Sequence, residues 1–533
     1  INGAQDRATG EGFLLHGVTG SGKTEVYLQA LAHCLDRGRQ AIVLVPELSL
    51  TPQAVARFEA RFPGRVAVLH SGLSPAQAWA AWWRARRGEA DVVVGPRSAV
   101  FAPLERVGLV VVDEEHEPAY KQADNQPRYH ARAVALALGG LTGAAVVLGS
   151  ATPDVVTAFA AEHGTLTRLG LEERIERSGA ARPRASVEVV DMRAELKAGN
   201  RSVFSGALRA GLEDALAAGQ QAILFLNRRG AATVVECRTC GQPVRCTHCG
   251  TPFTLHGSTG TLHTQAGETL LLCHHCNRRR GMPRTCPACH SGSIRSLGLG
   301  TERLAAEVTA AFPQARVLRW DHDTAPTVAA HGRLLEAFER GEADVLVGTQ
   351  MVAKGLDLPG VVLVGAVLAD IGLNLPDYRA PERAFQLLTQ VAGRAGRASM
   401  PGRAIIQTYQ PEHYAVQAAA DQDYEAFYQQ ELLHRRAHAY PPFGRLARLL
   451  FTHPDQRHAR QEAMRMASAL RHAIASWDIA GADVVGPAPA FPPRARGGWR
   501  WGLLVRGPNP HQVLERVSVP PGWGVDIDPA RTL

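Results

Sequence analysis

Residues 13–35 read FLLHGVTGSGKTEVYLQALAHCL, an apolar strand running into a glycine-rich turn and then a helix. Within it Gly17, Val18, Thr19, Gly20, Ser21, Gly22, Lys23 and Thr24 fit the pattern G-x-x-x-x-G-K-[ST] at every position. Glycines let backbone N–H groups close around phosphates, the lysine reaches the β and γ phosphates, and the threonine hydroxyl ligates magnesium. The strand before and the helix after are the setting such a loop needs. The stretch predicts ATP and Mg2+ as ligands, with Lys23 catalytic.

Working outward, VGLVVVDEEHEPAY (107–120) ends a buried strand in carboxylates. Asp113 is placed to hold Mg2+ with Thr24, and Glu114 to polarise the attacking water. Short β-branched strands (AIVLVP, DVVVGP, AAVVLGSATP) alternate with helical stretches, which predicts a doubly wound parallel sheet whose ligands sit at the carboxyl ends of its strands. A second strand-and-helix series follows (QAILFLNRRG, ARVLRWDHD, ADVLVGTQMVAKGLDLPGVVLVGAV, GRAIIQTY) without a second phosphate loop. It carries QLLTQVAGRAGR (386–397), where Arg394 and Arg397 share a helical face and suit a transferred phosphoryl.

Between the two halves of that second series stand Cys237, Cys240, Cys246, Cys249, Cys273, Cys276, Cys286 and Cys289, four C-x-x-C pairs. Eight thiols fill two tetrahedral Zn2+ sites. Spacing leaves open whether the pairs are joined in nested or in sequential fashion. A module of this size builds no core unaided and needs metal to fold.

Composition sets the outer limits. The chain has 533 residues, 45% hydrophobic and 20% charged, the range of a water-soluble globular protein of about three or four domains. No apolar run of about 18 residues offers a membrane span, and no secretory signal follows Ile1, so the reading is no membrane partner and a cytoplasmic location. The net charge of +8 favours a polyanionic partner. Among 58 lysines and arginines the lysines are Lys23, Lys121, Lys197 and Lys354 alone, and all but Lys197 fall inside motifs. The loop after the acidic motif interleaves Tyr120, Lys121, Arg128, Tyr129, His130 and Arg132, which suits either base stacking with phosphate contact or a packed surface loop. PPRARGGWRWGLLVRG, with Arg494, Arg496, Trp499, Arg500 and Trp501, reads equally as a DNA-contacting stretch or as a strand whose tryptophans are core.

GVTGSGKT, DEEH, GSATP, GLGTERL, GTQMVAKGLDLP and QVAGRAGR occur in the order of the motifs of superfamily 2 helicases. VPELSLTPQ, LHSGLS, DEEHEPAYKQ, PRYHARAVA, FLNRRG and YPPF make the chain resemble, more narrowly, the family of primosomal protein N-prime (PriA), bacterial replication-restart helicases. The resemblance implies two RecA-like motor domains, a zinc-binding module inserted in the second, and an α+β C-terminal DNA-binding domain. The segments read as 1–195, then 196–230 with 294–412, with 231–293 inserted, and 413–533. It implies that Gln390, Arg394 and Arg397 answer the nucleotide from the second domain, and that Ser150 and Thr152 couple hydrolysis to movement. Lys354 and Asp357 would lie near the cleft, and the zinc pairing would be nested.

The implied activity is a DNA-stimulated 3′-to-5′ helicase that recognises stalled or branched forks and initiates primosome assembly. Its partners would be forked and single-stranded DNA, primosome proteins and single-stranded DNA-binding protein. The chain would act as a monomer on DNA in the nucleoid. The alternative is a non-hydrolysing, zinc-stabilised fork-binding scaffold. The resemblance also implies N-terminal DNA-binding domains, which the chain is expected to lack before INGAQ, where Gln5 is a candidate adenine reader.

Overall fold

The computed structural model describes residues 1–47, 50, 52–174, 186–226, 233–256, 270–321, 323–325, 327–349, 358, 360–393, 402–495 and 497–532. β1 (Gly12–Gly17), β2 (Gln40–Leu44), β3 (Val66–Val68), β4 (Val92–Gly95), β5 (Val107–Asp113), β6 (Ala145–Ser150) and β7 (Thr167–Leu171) form one sheet, ordered β3-β4-β2-β5-β6-β1-β7. All its neighbours run parallel. Its strands are near-continuous apolar runs because both faces are buried: Ala41, Val43 and Val111 enter the core on one side, Ile42, Val110 and Val112 the core on the other. The order places β5, β6 and β1 side by side, so the ends of DEEH, GSATP and the phosphate loop are neighbours.

β8 (Ser186–Asp191) and β9 (Gln221–Phe225) begin a second sheet. Before it is completed, β10 (Thr233–Cys237), β11 (Thr254–His256), β12 (Leu270–Leu272), β13 (Arg279–Gly281) and β14 (Ile294–Leu297) form a separate antiparallel sheet ordered β13-β12-β11-β10-β14. β15 (Val317–Trp320), β16 (Val345–Gly348), β17 (Val361–Ala366) and β18 (Arg403–Thr408) then complete the parallel order β15-β16-β9-β17-β18-β8. β19 (Arg445–His453), β20 (Asp483–Ala495), β21 (Gly498–Gly507) and β22 (Trp523–Ile527) form the last sheet, antiparallel in the order β20-β21-β19-β22, with the helix Gln456–Ser476 packed on its apolar face.

The architecture is the α/β arrangement expected: two parallel-sheet motor folds, an inserted cysteine-rich sheet and an α+β C-terminal domain. Two compact units divide it, one holding β1–β7 and the other β8–β22. Two short strands fall differently from the expected segments. Residues 186–191, placed with the first motor, pair with β18 in the second sheet, and residues 294–297, placed with the second motor, pair with β10 in the cysteine-rich sheet. A strand of four to six residues carries no mark of the edge it joins; its partner decides that. Among the described residues no helix is long and apolar enough to cross a membrane.

Candidate functional site

The phosphate loop closes between β1 and the helix Lys23–Asp36. Gly22, at the helix N-cap, has φ 89°, a conformation that glycine adopts without a Cβ penalty. Ser21 N–H donates to the Val18 carbonyl at 3.1 Å, tightening the turn so that the helix N-terminus faces the phosphate position. The Lys23 ammonium folds back onto the loop, donating to the Gly17 carbonyl at 2.7 Å and the Val18 carbonyl at 3.3 Å.

Asp113 ends β5 opposite Gly149 of β6. The Tyr27 hydroxyl donates to Asp113 Oδ1 at 2.9 Å, and the Tyr120 hydroxyl to the Asp113 carbonyl at 2.7 Å. That approach requires glycine at 149, since a Cβ there would stand 1.7 Å from the Tyr27 hydroxyl oxygen. Burial, reinforced by the Glu114 charge, pushes the Asp113 carboxyl up to about 6, with Lys23 and the Tyr27 hydroxyl pulling the other way. Glu114 has φ 48°, a left-handed backbone unusual for a side chain of its size. Its Oε2 is buried with no hydrogen-bond partner among the described residues and lies 3.6 Å from His116 Nδ1. Ser21 Oγ is likewise buried without a partner among the described residues. Unpaired oxygens at a lysine-bearing loop and beside two carboxylates are a donor set that fits a nucleotide with its magnesium.

DEEH and GSATP are joined by direct bonds. His116 Nδ1 is hydrogen-bonded to Ser150 Oγ at 2.7 Å, which also accepts from Thr152 N–H at 2.9 Å. Glu115, fully buried, accepts from Asp154 N–H at 2.8 Å and the Thr157 hydroxyl at 2.9 Å, and forms an ion pair with Arg132. Burial raises the Glu115 carboxyl above its ordinary range, opposed by Arg132. Within DEEH the sequence points to Asp113 and Glu114 alone. It missed Tyr27, Glu115, Asp154 and Thr157, and the one signal on offer was the second glutamate of DEEH.

The loop after DEEH takes the packed form of the two read from its sequence. Tyr120 is buried, Lys121 is 5% exposed with its ammonium donating to the Arg128 carbonyl at 3.1 Å, and Tyr129 packs edge-on to Phe101. Arg132 is spent on Glu115 and Asp154. Gln5 is buried too, its amide donating to the Ala30 carbonyl at 3.1 Å and so fixing the helix Asn2–Arg7 to the helix Lys23–Asp36.

In the second unit the cysteines assemble as Cys237, Cys240, Cys286 and Cys289 in one group and Cys246, Cys249, Cys273 and Cys276 in the other. This is the nested arrangement. Each pair begins one repeated turn: the N–H four residues after the first cysteine donates to that cysteine's carbonyl, from Gly241, Gly250, Asn277 and His290, at 2.7–2.9 Å. All four of those residues have positive φ. Sulfurs of paired turns lie 3.4–3.8 Å apart. That is far from a disulfide's ~2.05 Å and close to the ~3.8 Å edge of a tetrahedron with ~2.3 Å metal–sulfur bonds. Burial pushes the Cys237 thiol up, but backbone N–H groups of Cys240 and Thr239, together with the Cys289 and Cys240 thiols, bring it down to about 7. The chemistry fits zinc. His274, between two of these thiols, turns away: its Nδ1 donates to the Pro489 carbonyl at 2.8 Å, tying the inner turn to β20.

Gln390 lies half-buried near the end of the helix Ala380–Ala392 in the second unit. Arg394, Arg397, Lys354, Asp357 and Arg496 lie outside the described residues. In the last sheet Trp499 and Trp501 are core, with Trp501 2% exposed, so the choice left open by the sequence falls to packing for both rings.

The chain matches the DEAD/DEAH box helicase family over residues 4–159, the helicase conserved C-terminal domain over 314–399 and the primosomal protein N C-terminal domain over 436–530. It is 46% identical over 494 residues to replication restart protein PriA of Bacillus subtilis, covering 93% of this chain and 59% of that protein. The Synechocystis protein of the same name is 44% identical, with 97% of this chain and 62% of that protein covered. That of Treponema pallidum is 42% identical, with 98% and 77% covered. The chain thus spans about three-fifths of the length of the first two relatives.

Proposed function

This chain belongs to the PriA family of replication restart proteins, and we propose that it works as an ATP-driven DNA helicase, moving 3′ to 5′ at stalled or branched forks and starting primosome assembly there. The observation that carries the reading is the convergence of Lys23, Asp113 with Glu114, and Ser150 with Thr152 on the ends of three adjacent strands.

Lys23 exchanges the Gly17 and Val18 carbonyls for phosphate oxygens, while N–H groups at the helix N-terminus, residues 22–24, face the phosphates. Thr24 and Asp113 would hold a magnesium ion, which would supply charge neutralisation at the phosphates. Glu114, its backbone set at φ 48°, presents a carboxylate oxygen to the attacking water. Gln390, Arg394 and Arg397 act from the second motor sheet on the charge of the transferred phosphoryl. Changes at the phosphates reach Ser150 through His116, and Asp154 through Glu115.

Each group of four thiolates would hold one zinc ion, which would supply the bonds that keep the inserted sheet together. The segments given above from sequence, with 186–191 moved to the second motor and 294–297 to the inserted module, are our proposed domains. Single-stranded and forked DNA, primosome proteins and single-stranded DNA-binding protein are the proposed partners of a monomer working at the nucleoid.

Strand displacement from forked duplexes bearing either a 3′ or a 5′ single-stranded arm tests this. The wild-type chain with ATP is expected to open the 3′-armed fork, and Lys23→Ala to open neither. Equal opening of both forks would remove the polarity, and opening by Lys23→Ala would remove the motor.

A further inference from the structure

The helix Pro75–Arg86 lies between β3 and β4, where β3 forms an edge of the first sheet. Five strand positions separate β3 from β1, about 24 Å at ~4.8 Å per strand, so this helix is remote from the phosphate loop. It is firmly built: the Ser74 hydroxyl accepts from Gln77 N–H while the Gln77 side chain accepts from Ser74 N–H. Yet its outer face is aromatic. Trp79, Trp82 and Trp83 are three of the chain's eight tryptophans, at spacings that share one helical face.

Trp79 is 65% exposed and Trp82 38%. Their rings are 6.4 Å apart between centroids and inclined by only 17°, and Trp83 meets both edge-on, at 5.6 Å and 5.1 Å. The indoles therefore brace one another in water as a ridge with open π-faces. A ridge of exposed indoles marks a contact surface, because burying such rings is worth more than any other side chain offers.

The surroundings are cationic. Residues 52–106 hold eight arginines against four carboxylates. The Arg87 guanidinium lies over the Trp83 ring at 5.3 Å. Arg86 and Arg87 pair with Glu105 and Glu89 at 2.7 Å and 3.8 Å, both on open surface where an incoming phosphate competes on equal terms. Flat rings beside exposed cations are what a single strand of nucleic acid uses, since every base has a π-face and every link a phosphate.

We propose that the Trp79–Trp82 ridge is a stacking platform for the bases of single-stranded DNA, with Arg86 and Arg87 meeting the adjoining phosphates. The proposal rests on the DNA-motor reading and adds to it a strand contact at the β3 edge, outside the nucleotide motifs.

The test uses the full chain and its Trp79→Ala/Trp82→Ala variant, with Trp83 kept and folding checked by zinc content and thermal midpoint. Binding of fluorescein-labelled oligo-dT is followed by anisotropy, and base stacking by quenching of tryptophan fluorescence. Loss of the two rings is expected to weaken binding by roughly 5- to 100-fold and to abolish most of the quenching. Trp79→Ala alone, at the more exposed position, is expected to fall between. Wild-type affinity and quenching in the double variant would overturn the platform while leaving a DNA-stimulated ATPase intact. So would a wild-type dimer that becomes monomeric in the variant, because a second copy would then own the ridge. A wild-type chain that binds no oligo-dT and shows no DNA-stimulated ATPase would overturn both readings together.

Discussion

At the end of β5, Asp113 and Glu114 stand on strands whose neighbours are aliphatic on both faces, so the sheet holds the site in shape. In the inserted sheet the buried cluster is Val235, Val244, Phe253, Leu271 and Ile294 together with Cys237, Cys246, Cys273 and Cys286, so the candidate ligands are themselves much of the core. Removing what binds the first site leaves its scaffold standing. Removing what binds the second removes the reason its turns stay together. A site built on a large hydrophobic sheet bears buried charge and a strained glutamate; a module of short strands does not, and relies on four copies of one cysteine turn.

The sharpest way to break this contrast is to take away metal. Structural zinc contributes on the order of 10–16 kcal/mol in small domains, so chelation is expected to expose the amides of β10–β14 to hydrogen exchange while those of β1, β5 and β6 keep their protection. Zinc measured by mass spectrometry is expected at two per chain, and at one in Cys273→Ser. Protection of β10–β14 that survives complete chelation would show that the module has a core of its own.

The reverse perturbation is Glu115→Ala, which strands Arg132 and two donors inside the first motor. A buried pair broken from one side costs about 3–5 kcal/mol, read as an earlier urea transition of the first motor with zinc content unchanged. Little change would mean that Arg132 finds enough in Asp154, 3.7 Å away.

The smallest effect is expected at His274→Ala. Its Nδ1 bonds a carbonyl, which can only accept, so this nitrogen carries the proton and the ring is a neutral or charged donor there. Losing that bond and the edge contact with Phe491 is worth about 1 kcal/mol, seen as faster exchange in β20 with both zinc ions retained. Loss of a zinc ion instead would make His274 part of the metal centre.

The sequence made legible whatever is local. Gly17–Thr24, Asp113, Glu114 and the cysteine pairs each announce themselves within a few residues, because loop, strand end and turn are short-range structures. What stayed hidden depends on packing partners far along the chain. For Lys121 and Tyr120 the sequence leaves base stacking and a packed loop both open, and burial turns both side chains inward. Trp499 and Trp501 were balanced between two readings until β21 was seen against the helix Gln456–Ser476. β8 carries no mark of the sheet it joins, and spacing alone did not choose between nested and sequential cysteine pairs. Glycine at 241 and 250 was a readable sign of the repeated turn; asparagine and histidine at 277 and 290 disguised it.

The most direct test of the account is steady-state ATP hydrolysis with and without forked DNA, for the wild-type chain and for Lys23→Ala, with zinc content confirmed in both. The expected result is hydrolysis strongly stimulated by the fork and reduced by at least about 100-fold in the variant, which loses the cation that meets the phosphates while keeping its fold. Equal and negligible rates in both proteins, with zinc bound and DNA retained, would contradict the motor and leave a DNA-binding scaffold.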